Sequence, residues 1–239
     1  MSGWYRLRVT TIVIATRNAH KTGEIRAILG ERFQFLTLND FPGAPKVVEN
    51  ADTFAGNATK KAVELAKWVN SQHRTSNIER PTPNFVLADD SGLEVDALNG
   101  APGVHSARFA AIDSAKSGNT PDADNNAKLL RLLKDVLLER RTARFHCVLA
   151  WTPVLLEKIE NAWPVCYADE FEIQTELFDG ICEGKILFEP RGENGFGYDP
   201  LFVPNGFIQT FAELGDGVKN QLSHRAKALE KLKGFLGTK

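Results

Sequence analysis

Residues 87–108 read Leu-Ala-Asp-Asp-Ser-Gly-Leu-Glu-Val-Asp-Ala-Leu-Asn-Gly-Ala-Pro-Gly-Val-His-Ser-Ala-Arg, and the fold turns on how the adjacent acids Asp89 and Asp90 are set within them. The short apolar run Phe85–Ala88 leads into the acids, Ser91-Gly92 follows, and a second alternating run, Leu93–Leu98, begins. The pattern predicts a strand, a Ser-Gly turn that folds the chain over, and a second strand. Open α/β sheets place their chemistry just outside strand ends, and hard carboxylate oxygens there suit Mg2+. In isolation, the same four residues also describe a solvated turn. What surrounds them decides.

Working outward, Val9–Ala15 reads as a buried β-branched strand and Ala19–Leu29 as a helix stopped by Gly30. Phe54–Val69 is a second helix, and Asn125–Glu139 a third, with Leu129, Leu130, Leu132, Leu133, Val136 and Leu137 as its buried face. Ala143–Trp151 alternates as a half-buried strand does, with Phe145, Cys147, Leu149 and Trp151 on one side. Glu176–Ile186 and Leu201–Val203 read as further strands, and Ser223 as the N-cap of a final helix striped by Ala228, Leu229, Leu232, Phe235 and Leu236. Asn70–Asn84 and Thr152–Glu170 read as surface excursions. Helices and strands interleave without a compositional break, which predicts one α/β domain over residues 1–239.

Composition narrows the classes of function. The 43% hydrophobic and 25% charged fractions belong to an ordinary soluble protein. A net charge of −1 gives no basic field for nucleic acid. No apolar run approaches a membrane span, and Met1–Arg8 has no apolar signal core, so the cytoplasm is the expected location. Cys147, Cys166 and Cys182 are too widely spaced for a metal or redox motif and are expected to be reduced, mostly buried thiols. The five histidines show no zinc spacing.

Four further segments carry chemistry. In Thr16-Arg17-Asn18-Ala19-His20-Lys21 a strand runs through a polar turn into a helix. The turn is either a phosphate cradle, with free N–H groups, a hydroxyl and an ammonium, or simply a helix cap. In the Phe54 helix, Lys61 projects about 20° from Phe54, so this lysine on the apolar side must snorkel or meet an anion. Glu49, just upstream, is an ordinary loop acid unless a metal pairs with it. Arg191–Pro200 contains three glycines around Phe196, and Gly197, Tyr198 and Asp199 follow. It is either a ring presented to a base or a hairpin with Phe196 and Tyr198 as core plugs. Lys219-Asn220-Gln221-Leu222-Ser223-His224-Arg225 sets cations at the opening of the last helix, where the macrodipole opposes them. A bound anion or a base edge resolves that conflict, as does simple solvent exposure.

Taken in order from Thr11 to Phe235, these blocks resemble the inosine triphosphate pyrophosphatase family, the XTP/dITP diphosphatases. The resemblance implies an elongated central mixed β-sheet flanked by helices, two lobes with a cleft between them, and a homodimer. It implies Mg2+-dependent hydrolysis of ITP, dITP and XTP to the monophosphate and pyrophosphate. It assigns the run Thr16, Arg17, Asn18, Ala19, His20 and Lys21 to substrate, with Thr16, Asn18 and Lys21 on the phosphates, aided by Lys61. Glu49 and Asp90 are implied to hold Mg2+, Asp90 also to polarise the attacking water, and Ser91 to touch the substrate. Phe196 is implied to stack on the purine, walled by Gly197, Tyr198 and Asp199, while Lys219, His224 and Arg225 reach the base edge. Arg17 stands where many members have Gly, and His105 where Tyr is common. Asp89 is read as a support for its neighbour.

Two other readings compete. A Maf-like pyrophosphatase would act on other modified or pyrimidine nucleotides, and the Ser223-His224-Arg225 block argues against it. A non-catalytic nucleotide sensor or nucleic-acid binder is disfavoured by the Glu49/Asp90 pair and the near-neutral charge.

Overall fold

The computed structural model describes residues 10–73, 83–112, 118–154 and 174–237. The predicted excursions Asn70–Asn84 and Thr152–Glu170, and Cys166, lie wholly or largely outside these residues.

A six-stranded mixed sheet, in the order β2-β1-β3-β4-β5-β6, forms the frame. β1 (Thr11–Ile14) leads through Thr16–Asn18 into α1 (Ala19–Leu29), and the chain returns as β2 (Gln34–Thr37), parallel to β1. α2 (Phe54–His73) then carries it to β3 (Phe85–Val95), which lies parallel to β1 on its other side. Strand order therefore reverses at β1, the point where open α/β sheets leave a crevice. β4 (Thr142–Pro153), β5 (Glu176–Ile186) and β6 (Phe202–Pro204) complete the sheet in antiparallel register. α3 (Asp122–Leu132), α4 (Phe211–Leu222) and α5 (His224–Gly237) are the remaining helices.

The predicted Ser-Gly turn does not exist. β3 runs unbroken from Phe85 to Val95, and Asp89–Gly92 pair with Leu149–His146 of β4. Both acids thus lie mid-strand rather than at a strand end. Gly92 serves close approach instead of a turn: a Cβ there would collide with the Gly103 carbonyl oxygen and Ser106 Oγ. Ser106 Oγ in turn accepts from the Leu93 N–H at 2.9 Å. The two ends of the 87–108 stretch are in this way packed on one another, the second forming a 3-10 segment over Gly103–Ala111.

Other boundaries moved for identifiable reasons. The third helix spans Asp122–Leu132 rather than Asn125–Glu139. Buried Arg141 donates to the Leu133 and Val136 carbonyls at 2.6 and 3.0 Å, drawing off the acceptors a continuing helix would use, and Leu137 is exposed. β2 and α4 were not foreseen; β2 is only four residues long and half-exposed at the sheet edge. β4 extends to both sides of the predicted Ala143–Trp151 and is covered on both faces along Cys147–Thr152, not half-buried. The last strand is Phe202–Pro204, one residue later than read. α2 runs one turn past Val69 to His73. Ser223 caps α5 as expected, accepting from the Ala226 N–H at 3.2 Å.

Apolar packing lies on both faces. α2 covers Val13, Val86, Ala88, Val148 and Ala150. α1 and α5 cover Ile12, Ile14, Leu87, Cys147 and Leu149.

Candidate active site

Side chains alternate across a strand, so Asp89 and Asp90 belong to different faces and different networks. Asp90 points to the α2 side with Val86 and Ala88, and Asp89 and Ser91 to the α1/α5 side with Leu87. β1 ends at Ile14, whereas β3 continues to Val95. Among the described residues, the β1-facing edge of β3 has no strand partner from Asp89 to Leu93: Leu87 still accepts from the Ala15 N–H at 2.8 Å, and Glu94 already bridges to Pro102. Side chains satisfy that edge instead: Lys61 Nζ donates to the Asp89 carbonyl at 2.7 Å.

On the α2 face, Lys61 answers the question raised by its position on the apolar side. Its ammonium meets anions, donating to Asp90 Oδ1 at 2.9 Å and to Glu49 Oε2 at 3.2 Å. Asn57, one turn earlier and fully buried, donates to Asp90 Oδ2 at 3.2 Å. The Asn57 amide also exchanges hydrogen bonds with the backbone of Ala51, tying Asp90 to the segment that carries Glu49. Arg108 donates to the Glu49 carbonyl at 3.2 Å from the other side. Burial pushes the Asp90 carboxyl up to about 6, outweighing the Lys61 charge. Burial also opposes the charge on Glu49, but there Lys61 prevails and the carboxyl sits below its ordinary value.

On the opposite face, Asp89 is a buried hub. Arg225 Nε donates to its Oδ2 at 2.8 Å, Cys147 Sγ donates to the same oxygen at 3.2 Å, and Lys21 pairs with Oδ1. Burial opposes the Asp89 charge, but Arg225 and Lys21 hold its carboxyl well below the usual range. Ser91 Oγ donates to Asp89 Oδ1 at 3.0 Å and accepts from Lys21 and Arg225 at 3.1 and 3.0 Å. Glu24 of α1, also buried, pairs with Arg225 and with Lys219 Nζ, the latter at 2.9 Å. Lys219 continues the chain of charges to Asp199 Oδ2 at 2.7 Å.

The base shelf predicted at Arg191–Pro200 divides into two roles. Tyr198 is a core plug whose hydroxyl donates to the Ser106 carbonyl at 2.9 Å. Asp199 is buried and accepts from the Phe196 N–H at 2.8 Å, fixing the turn. The Gly197 N–H donates to Asp122 Oδ2 at 2.7 Å, and Asn126 Nδ2 donates to the Gly197 carbonyl at 3.0 Å, so the start of α3 clamps the loop. Phe196 alone is presented, half-buried, with Lys219 Nζ 4.3 Å from its ring centroid.

The first motif takes the capping form that its sequence allows, and the last is divided between two helices. Asn18 caps α1, its Oδ1 accepting from the His20 and Lys21 N–H groups at 2.9 and 3.2 Å, while Thr16 Oγ1 accepts from the Asn18 N–H at 3.1 Å. Arg17, Ala19 and His20 are exposed around this turn. Lys219 does not open the last helix; it sits in the last turn of α4, where the macrodipole favours a cation. His224 and Arg225 do open α5, and for Arg225 the conflict is resolved by the protein's own carboxylates, Asp89 and Glu24. His224 is buried and stacks on Phe145 at 4.9 Å. Burial, then Arg225 and Lys219, hold it neutral, and its Nδ1 has no hydrogen-bond partner among the described residues.

Sequence reasoning missed Asn57, Glu24, Asp122 and Asn126, and gave Arg108 no role. Asn57 carried a usable signal, since it lies four residues before Lys61 and so on the same helix face.

With this geometry in hand, the comparison with known proteins is direct. The family model described as Ham1 family matches residues 12–235. The chain belongs to the Ham1 family. Relatives include proteins named dITP/XTP pyrophosphatase from Geobacillus kaustophilus, 46% identical over 92% of this chain and 91% of its own length, and from Desulforamulus reducens, 43% identical over 92% of each. Among solved structures, the Ham1 protein of Staphylococcus aureus superposes with a TM-score of 0.72 at 33% identity, covering 96% of this chain and all of its own. A HAM1 protein from Coxiella burnetii gives 0.71 at 35% identity with the same coverage. The mixed α/β sheet read from the sequence is thus the Ham1 fold.

Proposed function

We propose that this Ham1-family chain hydrolyses noncanonical purine nucleoside triphosphates (ITP, dITP and XTP) to the monophosphate and pyrophosphate, with Mg2+ as its cofactor. The observation that carries the proposal is the Glu49–Lys61–Asp90 cluster beside the stretch of β3 edge where Lys61 meets the Asp89 carbonyl. The names of the relatives give the same reaction class.

Two carboxylates without a third metal-ligating group among the described residues suit Mg2+, which keeps several waters and completes its shell with substrate phosphate oxygens. Charge supports the fit: in this cluster two carboxylates, Glu49 and Asp90, pair with one cation, Lys61. Glu49 and Asp90 would hold the ion, which when bound lowers the pKa of water and neutralises phosphate charge.

Asp90, oriented by Asn57 and Lys61, is placed to polarise the attacking water. Lys61 and Lys21 absorb charge on the phosphates, so in-line attack at the α-phosphorus requires no nucleophilic Ser or Cys. Phe196 offers a face for the purine. Polar groups at the Lys219–Arg225 end provide the donors that separate a 6-oxo from a 6-amino purine, a mismatch costing about 1–3 kcal/mol per unsatisfied group. A homodimer and a cytoplasmic setting complete the reading; among the described residues no helix is long and apolar enough to cross a membrane.

The test is pyrophosphate release from ITP, XTP, dITP, ATP, GTP, UTP and CTP with Mg2+. Preference for ITP, dITP and XTP is expected, with loss of turnover in Asp90→Asn. Equal turnover of ATP, or preference for UTP and CTP, would overturn the proposal, the latter in favour of a Maf-like activity.

A further inference from the structure

The face that Phe196 offers is already taken. His20 stacks on it with ring centroids 5.3 Å apart and the planes 21° from parallel. A ring inserted between two others needs their planes about 7 Å apart, twice the carbon–carbon contact distance of about 3.5 Å. A purine and the His20 imidazole therefore compete for one surface. Lys219 also lies against Phe196, but it is buried and tied to Asp199 and Glu24. His20 is at the surface, and its imidazole makes no side-chain hydrogen bond among the described residues. The backbone beneath it is fixed, because Asn18 Oδ1 holds the His20 N–H and the next residue, Lys21, is anchored on Asp89 and Ser91. Among the described groups against Phe196, the His20 side chain is the one free to give way.

We propose that His20 is a placeholder on the purine shelf: it covers Phe196 in the free protein and is expelled by the incoming base. This rests on the proposed function, which assigns Phe196 to the base. The consequence is a bias on affinity set by the residue at position 20. Whatever stabilises the internal stack is lost on base binding, and whatever weakens it is gained. An aromatic pair of this kind corresponds to roughly a two- to tenfold change in an equilibrium constant. Position 20 would thus tune how strongly the base end contributes to binding, separately from the phosphate end. It is a positioning residue with no part in the chemical step.

The experiment measures inosine monophosphate and inorganic pyrophosphate binding by titration calorimetry to the parent chain, His20→Ala, His20→Phe and Phe196→Ala, with thermal melts to verify folding. The readout is the ratio of nucleotide to pyrophosphate affinity. The expected order is Ala above His above Phe at position 20, with each step about two- to tenfold. The His20 ring-proton NMR signals should also lose their Phe196 ring-current shift on saturation with inosine monophosphate. The reverse order, Phe above His above Ala, would mean that the base is gripped between the two rings and would overturn the placeholder role alone, as would a ratio that does not vary. Nucleotide binding indifferent to Phe196→Ala would instead contradict the assignment of the shelf to the base, and with it the proposed function.

Discussion

Asp89→Asn and Asp90→Asn make the same chemical change at adjacent residues, and the structure predicts very unequal consequences for stability. Asp89 is about as buried as Arg225, which it pairs with, and it also receives Lys21, Ser91 and Cys147. An asparagine keeps one acceptor oxygen but turns an NH2 group toward these N–H donors, leaving a buried guanidinium short of countercharge. Removing one partner of such a pair costs about 3–5 kcal/mol, or roughly 6–20 °C in Tm for a chain of this size. Asp90 differs, because burial already disfavours its charge and pushes its carboxyl up to about 6. Its folded pKa is raised, so ionisation destabilises the fold as pH rises through that value. A neutral amide there removes this penalty and can keep its oxygen on Lys61, at the loss of the hydrogen bond from Asn57, while Lys61 keeps Glu49 and the Asp89 carbonyl. Asp90→Asn is therefore expected within about 1 kcal/mol of the parent or more stable, while turnover is lost. Urea denaturation at pH 7 measures both. Equal losses from the two variants would refute the assignment of the two acids to separate networks.

The remaining predictions concern the supports of the site. Asn57→Ala removes the amide that orients Asp90 and should lower kcat/KM about 10- to 100-fold, read from steady-state kinetics. For Glu24, burial opposes the charge but Arg225 and Lys219 hold the carboxyl below 4.5. Its contribution to stability is present above that value and lost as pH falls through the lower folded value. The stability difference between the parent and Glu24→Gln should therefore shrink in urea titrations below about pH 4.5. Tyr198→Phe removes the hydrogen bond to the Ser106 carbonyl, which should cost about 0.5–1.5 kcal/mol and raise KM for nucleotide more than it lowers kcat.

What could be read from the sequence followed from periodicity and from side-chain burial against charge. The stripe of α5 with its Ser223 cap, the start of α2 at Phe54, and the parity of β4 were all legible because a single local pattern specified them. Lys61 was legible as an oddity, a cation on an apolar face, and the structure supplies its anions. The mid-strand position of Asp89 and Asp90 was not legible. Ser-Gly after two acids satisfies the rule for a turn, and only the packing of Gly103 and Ser106 against Gly92 explains a glycine inside a strand. The end of α3 was hidden for a similar reason: Arg141, which stops it, acts from beyond the helix. Glu24 was invisible because its partners Lys219 and Arg225 lie about two hundred residues away along the chain.

In the proposed reaction water attacks the α-phosphorus beside Asp90. Hydrolysis of ITP in 18O-labelled water with Mg2+, followed by mass spectrometry of both products, tests it most directly. Label is expected in the monophosphate and none in the pyrophosphate. Label in pyrophosphate, or release of inorganic phosphate with a diphosphate product, would contradict it.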